Sequence, residues 1–158
     1  MQSLFDIMGA GENPAPFCVV TVPGDPRGKG RPRFRIVRPK FKPPFVHVYT
    51  DADTERYENY VAGVAGVAMG NKPPSERPIA VRMFIMMPVA ASWPRKRRES
   101  ALSGLLFPTV TPDTDNIEKS IYDGMNKIVY ADDKQIVRKF VSKEYGERPG
   151  IIVELYEL

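Results

Sequence analysis

Thr111-Pro112-Asp113-Thr114-Asp115-Asn116-Ile117-Glu118-Lys119, followed one helix's length later by Asp132-Asp133, is the stretch around which the rest of the chain is arranged. Pro112 disfavours helix at the residue before it, and Asp115 with Glu118 three positions on reads as an N-cap with its capping-box partner. A helix is therefore predicted from about Asn116. Ile117, Ile121, Met125 and Ile128 recur at intervals of three or four and form its core-facing stripe. Asp113 and Asp115 then lie in the turn entering the helix, and Lys119 follows Asp115 by one turn on a different face from the stripe. Carboxylates and an ammonium group can so look into one cleft. Two acids one residue apart, joined by a third from a distant element, are an oxygen set that a hard cation such as Mg2+ accepts while water and phosphate fill its other positions.

The same pattern has a purely structural use. Asp-x-Asp before a helix caps it and complements its dipole, and Asp132-Asp133 can form a turn into the next strand. Spacing alone leaves both readings standing. An EF-hand needs an oxygen ligand where Ile117 stands and a glycine after it, and the chain has neither. A Walker loop, a Cys/His zinc cluster and a nucleophile elbow are also absent.

Outward from this motif, 158 residues with 42% hydrophobic content suit one domain with a real core. Residues 1–16 are turn-rich and aperiodic, which predicts a flexible tail ahead of a single domain over 17–158. Ser3-Leu4-Phe5 within the tail partly resembles the peptide by which replication and repair proteins dock on a bacterial sliding clamp, a weak match because Gln2 is out of register. No apolar run reaches the roughly 20 residues that span a bilayer, and no signal pattern opens the chain, so a cytoplasmic protein is expected. Cys18, the single cysteine, sits in an apolar run and reads as a small core side chain.

Charge is concentrated in one place. Arg27, Lys29, Arg31, Arg33, Arg35, Arg38, Lys40 and Lys42 follow one another without an acid, and without these eight the chain has 15 basic against 19 acidic residues. A run of one sign spaced by glycine and proline points to a polyanion. Three glycines between Gly24 and Arg33 let the backbone approach a ligand closely. A second cluster, Arg95-Lys96-Arg97-Arg98, is expected in a loop after Pro88 beside Trp93, a ring that can stack on a base or anchor its own loop.

The remaining elements follow from periodicity. Phe17 to Pro23 is a strand, and Phe34–Ile36 with Phe45–Tyr49 form a hairpin with an arginine-rich face, turned at Lys40 to Pro44. His47, in its second strand, has no companion ligand. A helix from about Asp53 to Met69 has Tyr57, Tyr60, Val61, Val64 and Ala68 on one face and ends at Gly70. Its Gly63, Ala65 and Gly66 permit close packing against the sheet or a second subunit. Ile79 to Met87, apolar on both faces, is a central strand; Gln135–Lys143 and Ile151–Tyr156 are two strands expected to join as a hairpin, with Lys139 and Lys143 on one face of the first. The order predicts an α+β two-layer sandwich, a mixed sheet of about four to five strands with two main helices.

Asp113-x-Asp115-Asn116-x-x-Lys119, then Ile121-x-Asp123-Gly124-Met125-Asn126, then Asp132-Asp133-x-Gln135-Ile136 resembles the core signature of the RusA family of Holliday junction resolvases, and Pro26 to Arg33 with Tyr49-Thr50 is similar to many members. The likeness runs from about Val19 to the C-terminus. It implies a Mg2+-dependent endodeoxyribonuclease, with Mn2+ as a substitute, encoded by a bacterium or phage and acting as a homodimer that nicks a four-way DNA junction symmetrically. It places the metal on Asp113, Asp115 and Asp133, with Asp132 as the alternative to Asp133, and makes those three acids and Lys119 catalytic. Arg27, Lys29, Arg31, Arg33, Arg35, Arg95, Lys96, Arg97 and Arg98 would contact DNA. Thr111 departs from the basic residue often found before the Pro-Asp. Two rival classes remain: a basic nucleic-acid-binding module whose carboxylates are only caps, and a metal enzyme acting on a nucleotide.

Overall fold

The computed structural model describes residues 15–158, so the Ser3-Leu4-Phe5 peptide lies outside the described residues. The elements are β1 (Cys18–Pro23), β2 (Arg33–Val37), β3 (Phe45–Tyr49), α1 (Ala52–Met69), β4 (Ile79–Pro88), α2 (Arg95–Leu102), α3 (Thr114–Met125), a short 3-10 turn (Asp133–Gln135), β5 (Ile136–Gly146) and β6 (Gly150–Glu157). β4 is central, as its apolar sequence requires. β6 pairs with it antiparallel and β5 parallel, and β1 closes the other edge, giving the order β1-β6-β4-β5. Ile79, Val81, Met83, Ile85 and Met87 point from β4 into one core with Val20 and Val22 of β1 and Ile151, Val153 and Leu155 of β6. α1 and α3 cover that face. This is the α+β two-layer sandwich with a mixed sheet, while β2 and β3 stand apart as a separate two-stranded sheet.

The α3 stripe buries Ile117, Ile121 and Met125 completely, each side chain stabilising by about 1.5–3 kcal/mol. α3 meets α1 at Gly124, where an added Cβ would lie 2.7 Å from Val61 Cβ and 3.0 Å from the Glu58 carbonyl oxygen. So close a crossing narrows the inward face of α1 to Thr54, Tyr57, Val61, Ala65 and Met69. Tyr60 and Ala68, expected inside, are exposed. Gly70, with φ of 58°, ends the helix as expected. Cys18 is buried, and burial pushes its thiol up against the weaker pull of Lys72, as suits a core side chain.

Three further expectations are corrected. β5 and β6 do not pair as a hairpin, because β4 lies between them. β6 is the more apolar of the two and belongs inside, whereas β5 carries Arg138, Lys139 and Lys143 and suits an edge. The segment around Arg95 is helical, not a loop: straight-chain cations favour helix, and Arg95 Nε donates to Glu99 Oε1 one turn on at 2.7 Å. α3 begins at Thr114, two residues before the predicted start, which moves the N-cap position from Asp115 to Asp113.

Candidate active site

The entry to α3 sets the acids apart. Asp113 occupies the N-cap position, its carbonyl accepting from the Ile117 amide at 3.1 Å, and its side chain makes no capping bond. Asp115 lies in the first turn, where the positive end of the helix dipole favours a carboxylate. At the start of β5 the neighbouring acids divide their work. Asp132 accepts from the Lys134 amide at 3.1 Å, and its own amide donates to Gln135 Oε1 at 2.8 Å, a capping box that holds the 3-10 turn. That amide, joined by the charge of Lys134, keeps the Asp132 carboxyl below its ordinary range. Gln135 Nε2 donates to the Ser75 and Arg77 carbonyls at 2.9 Å each and fixes the turn to the chain before β4. Asp133, the residue after Asp132, is exposed.

Between α3 and β5 a cleft of about 210 Å3 is lined by Asp115, Glu118, Lys119, Tyr122, Asp133 and Lys139. Asp115, Lys119 and Asp133 are thus brought together, and Asp113 and Asp132 lie outside the lining. Lys119 has no ion-pair partner among the described residues. Glu118, only 7% exposed, accepts from Lys139 Nζ at 2.6 Å and from the Tyr122 hydroxyl at 3.5 Å. A carboxylate buried to that extent needs such a partner, because desolvation alone would cost several kcal/mol. Burial, reinforced by the Glu118 charge, raises the Tyr122 phenol far above its usual range, so it remains a donor. Lys143 donates to the carbonyls of Val110 and, at 2.8 Å, Pro112, fastening β5 to the loop that enters α3.

Sequence reasoning misses Glu118, Tyr122 and Lys139 as site residues. Glu118 reads as a capping partner, yet it follows Asp115 by three residues and precedes Tyr122 by four, a spacing that shares a helix surface. The Lys139/Lys143 face of β5 is visible in the sequence, but not what it faces.

The basic loop runs as a strap across both helices. The Lys29 amide donates to the Asn116 carbonyl at 2.9 Å, Ser120 Oγ donates to the Arg27 carbonyl at 2.8 Å, and the Gly30 amide donates to Thr54 Oγ1 at 3.0 Å. Gly28 lies so close to α3 that an added Cβ would come within 2.9 Å of Pro112 Cβ. Lys29 points inward, paired with Asp123 and, at 3.0 Å, with Glu58. Burial pulls its ammonium down, but the hydrogen bonds and charges of Asp123 and Glu58 outweigh this and raise it. Arg27, Arg31 and Arg33 stay exposed, Arg33 with Asp51 at 2.9 Å, and Arg35 is exposed on β2. The cations of α2 lie on the surface too, with the Arg97 guanidinium 4.0 Å above the ring of Trp93, which packs edge-on against Tyr145. The larger depression, about 490 Å3 between Arg27, Arg56 and Tyr60, contains none of the motif acids.

Among the described residues no three His, Cys, Asp or Glu side chains are grouped tightly enough to hold a metal ion. Mg2+ needs fewer, since it is commonly held by one or two carboxylates with waters and phosphate oxygens in its other positions. Asp115 and Asp133, hard oxygen donors on one open cleft, fit that requirement.

Residues 23–156 match the family described as Endodeoxyribonuclease RusA. The chain belongs to the RusA family. This bears out the resemblance carried by the acidic motif. The chain is also 37% identical over 142 residues to the "Uncharacterized protein YqaN" of Bacillus subtilis (strain 168), a match that covers 87% of this chain and 94% of that one. No described helix is long and apolar enough to cross a membrane.

Proposed function

We propose that this RusA-family chain is a Mg2+-dependent endonuclease that resolves four-way DNA junctions by paired symmetric nicks, working as a homodimer with one cleft per strand. The observation that carries this reading is the joint lining of one cleft by Asp115, Asp133 and Lys119. Asp115 and Asp133 would hold the ion, with Asp113 as the third acid by its place in the motif, and Mn2+ would substitute for Mg2+. A bound ion there would polarise the phosphoryl oxygen and lower the pKa of an attacking water. Lys119 offers an unpaired ammonium to the negative charge that grows on the phosphate in the transition state. Lys139, tethered by Glu118, adds a second ammonium at the rim. Arg27, Arg31, Arg33 and Arg35, with the cations of α2, contact the DNA backbone, which positions the duplex arms without reading sequence. Lys29 serves as the anchor of the strap.

The test is incubation of a labelled four-way junction, a matched duplex and single strands with Mg2+ or EDTA. Asp115→Asn and Asp133→Asn keep the side-chain shape and remove a negative charge, so cleavage should fall by on the order of a hundredfold or more while junction binding is kept or tightened. Asp132→Asn, outside the cleft, should be much less impaired. Asn variants at 115 and 133 that nick at near the wild-type rate would leave these residues as caps and favour the binding-module reading.

A further inference from the structure

The ribbon of β2 and β3 has two unlike faces. Its antiparallel register sets Phe34 opposite Val48 and Ile36 opposite Val46, and residues paired in this way project to the same side. Arg33 opposite Tyr49 and Arg35 opposite His47 take the other side. The first face therefore presents four large apolar side chains with no polar group among them, 69% (Phe34), 62% (Ile36), 59% (Val46) and 53% (Val48) exposed. The second face holds the two cations of the paired strands, Arg33 and Arg35. A lone two-stranded ribbon is marginally stable in water, and a contiguous apolar patch of this kind marks a surface that something covers.

We infer that the apolar face of the ribbon is where a second copy of the chain docks, face to face about a twofold axis, leaving the two basic faces outward for DNA. This rests on the homodimer of the proposed function and assigns its interface. DNA itself is not the occupant, because phosphates need cations and this face has none. A twofold contact brings a patch against its own image. Arg33, Arg35, Arg38, Lys40 and Lys42 give the ribbon and its turn only positive charge, so any face bearing them would meet like charge across the axis. The uncharged face is the side of the ribbon that can meet itself without that penalty. A stable interface buries roughly 800 Å2 per partner, more than four side chains supply. The ribbons therefore lie alongside each other over the length of their paired strands, the seam stopping short of the turn, where the Lys40 ammonium stands 5.7 Å from the centre of the Phe41 ring.

The experiment measures the mass of the full-length chain by sedimentation equilibrium at micromolar concentration, together with Phe34→Asp/Val48→Asp. Wild type should give about twice 17.8 kDa and the double variant the mass of one chain, with the far-ultraviolet circular dichroism of the domain unchanged. A second measurement does not depend on the ribbon tolerating two charges. In a Cys18→Ala background, Ile36→Cys should form an intermolecular disulfide under mild oxidation, and Arg35→Cys, on the other face, should not. A monomeric wild type would mean that something else covers the face, the first fourteen residues included, and would overturn both the homodimer and this assignment. A wild-type dimer that survives Phe34→Asp/Val48→Asp and gives no Ile36→Cys cross-link would overturn the assignment alone.

Discussion

The strap from Arg27 to Arg31 and the ribbon from Arg33 to Tyr49 share one run of cations and differ in how they are held. The strap is fastened through backbone hydrogen bonds to Asn116, Ser120 and Thr54 and through the inward ion pairs of Lys29. The ribbon is held mainly by its own pairing, with Arg33 tied to Asp51 at its root. Positive charge therefore has two jobs within a few residues. A lysine whose ammonium is pulled in by two carboxylates stabilises the fold, whereas arginines left at the surface are available to a polyanion. Sequence composition gives the two the same appearance.

The largest effect that separates these jobs is expected on DNA binding. Replacing Arg27, Arg31, Arg33 and Arg35 together by Ala should weaken junction affinity on the order of a hundredfold and reduce the slope of log K against log[salt] by roughly 0.9 for each phosphate no longer neutralised. Fluorescence anisotropy over a salt series measures both, and an unchanged slope would mean that these arginines do not meet phosphate. The melting temperature should hardly move, because the ion pair that Arg33 makes with Asp51 is largely solvent-exposed on the arginine side.

Lys29→Met should do the reverse. It leaves Glu58 and Asp123 without their shared cation and should lower stability by about 2 kcal/mol in urea titration, the pair being partly buried, with the salt slope of junction binding unchanged. The folded-state pKa of Lys29 is raised, so its stabilisation is fully present below the unfolded value of about 10.4 and disappears only as pH rises through the folded value. The deficit of the variant should accordingly be the same at pH 6 and pH 8. A slope that falls with Lys29→Met would place this ammonium on DNA and erase the contrast.

The smallest expected change is at Gly28. An added methyl group would press on Pro112 and Asn116, so Gly28→Ala should destabilise by about 1 kcal/mol and lower the cleavage rate more than junction affinity, because the strap would be displaced from the end of α3 that carries Asp113 and Asp115. Equal decreases in both would indicate that strap and cleft are mechanically independent.

Much of the fold is legible in the sequence because periodicity reports burial. The alternation in Ile79 to Met87 places β4 in the middle, and the stripe Ile117, Ile121, Met125 identifies the inward face of α3. The separation of β5 from β6 is not legible, since a short connection between two strands looks the same whether they pair or straddle a third. The helix at Arg95 is hidden by Pro94 and by a charge density that reads as loop, although those same straight-chain cations sustain it.

What the sequence determined by itself is chemistry: the kinds of residue, their order, and hence the family, because an acid-x-acid entry to a helix with a lysine one turn on is a local pattern. What the tertiary structure decided is membership. It put Asp133 in the cleft and committed Asp132 to a cap, added Glu118 and Lys139 from a helix and an edge strand 21 positions apart, and turned Lys29 inward while leaving its neighbours outside. Those outcomes depend on which elements pack together, and the energy of a buried ion pair or a close glycine contact exists only after they have done so.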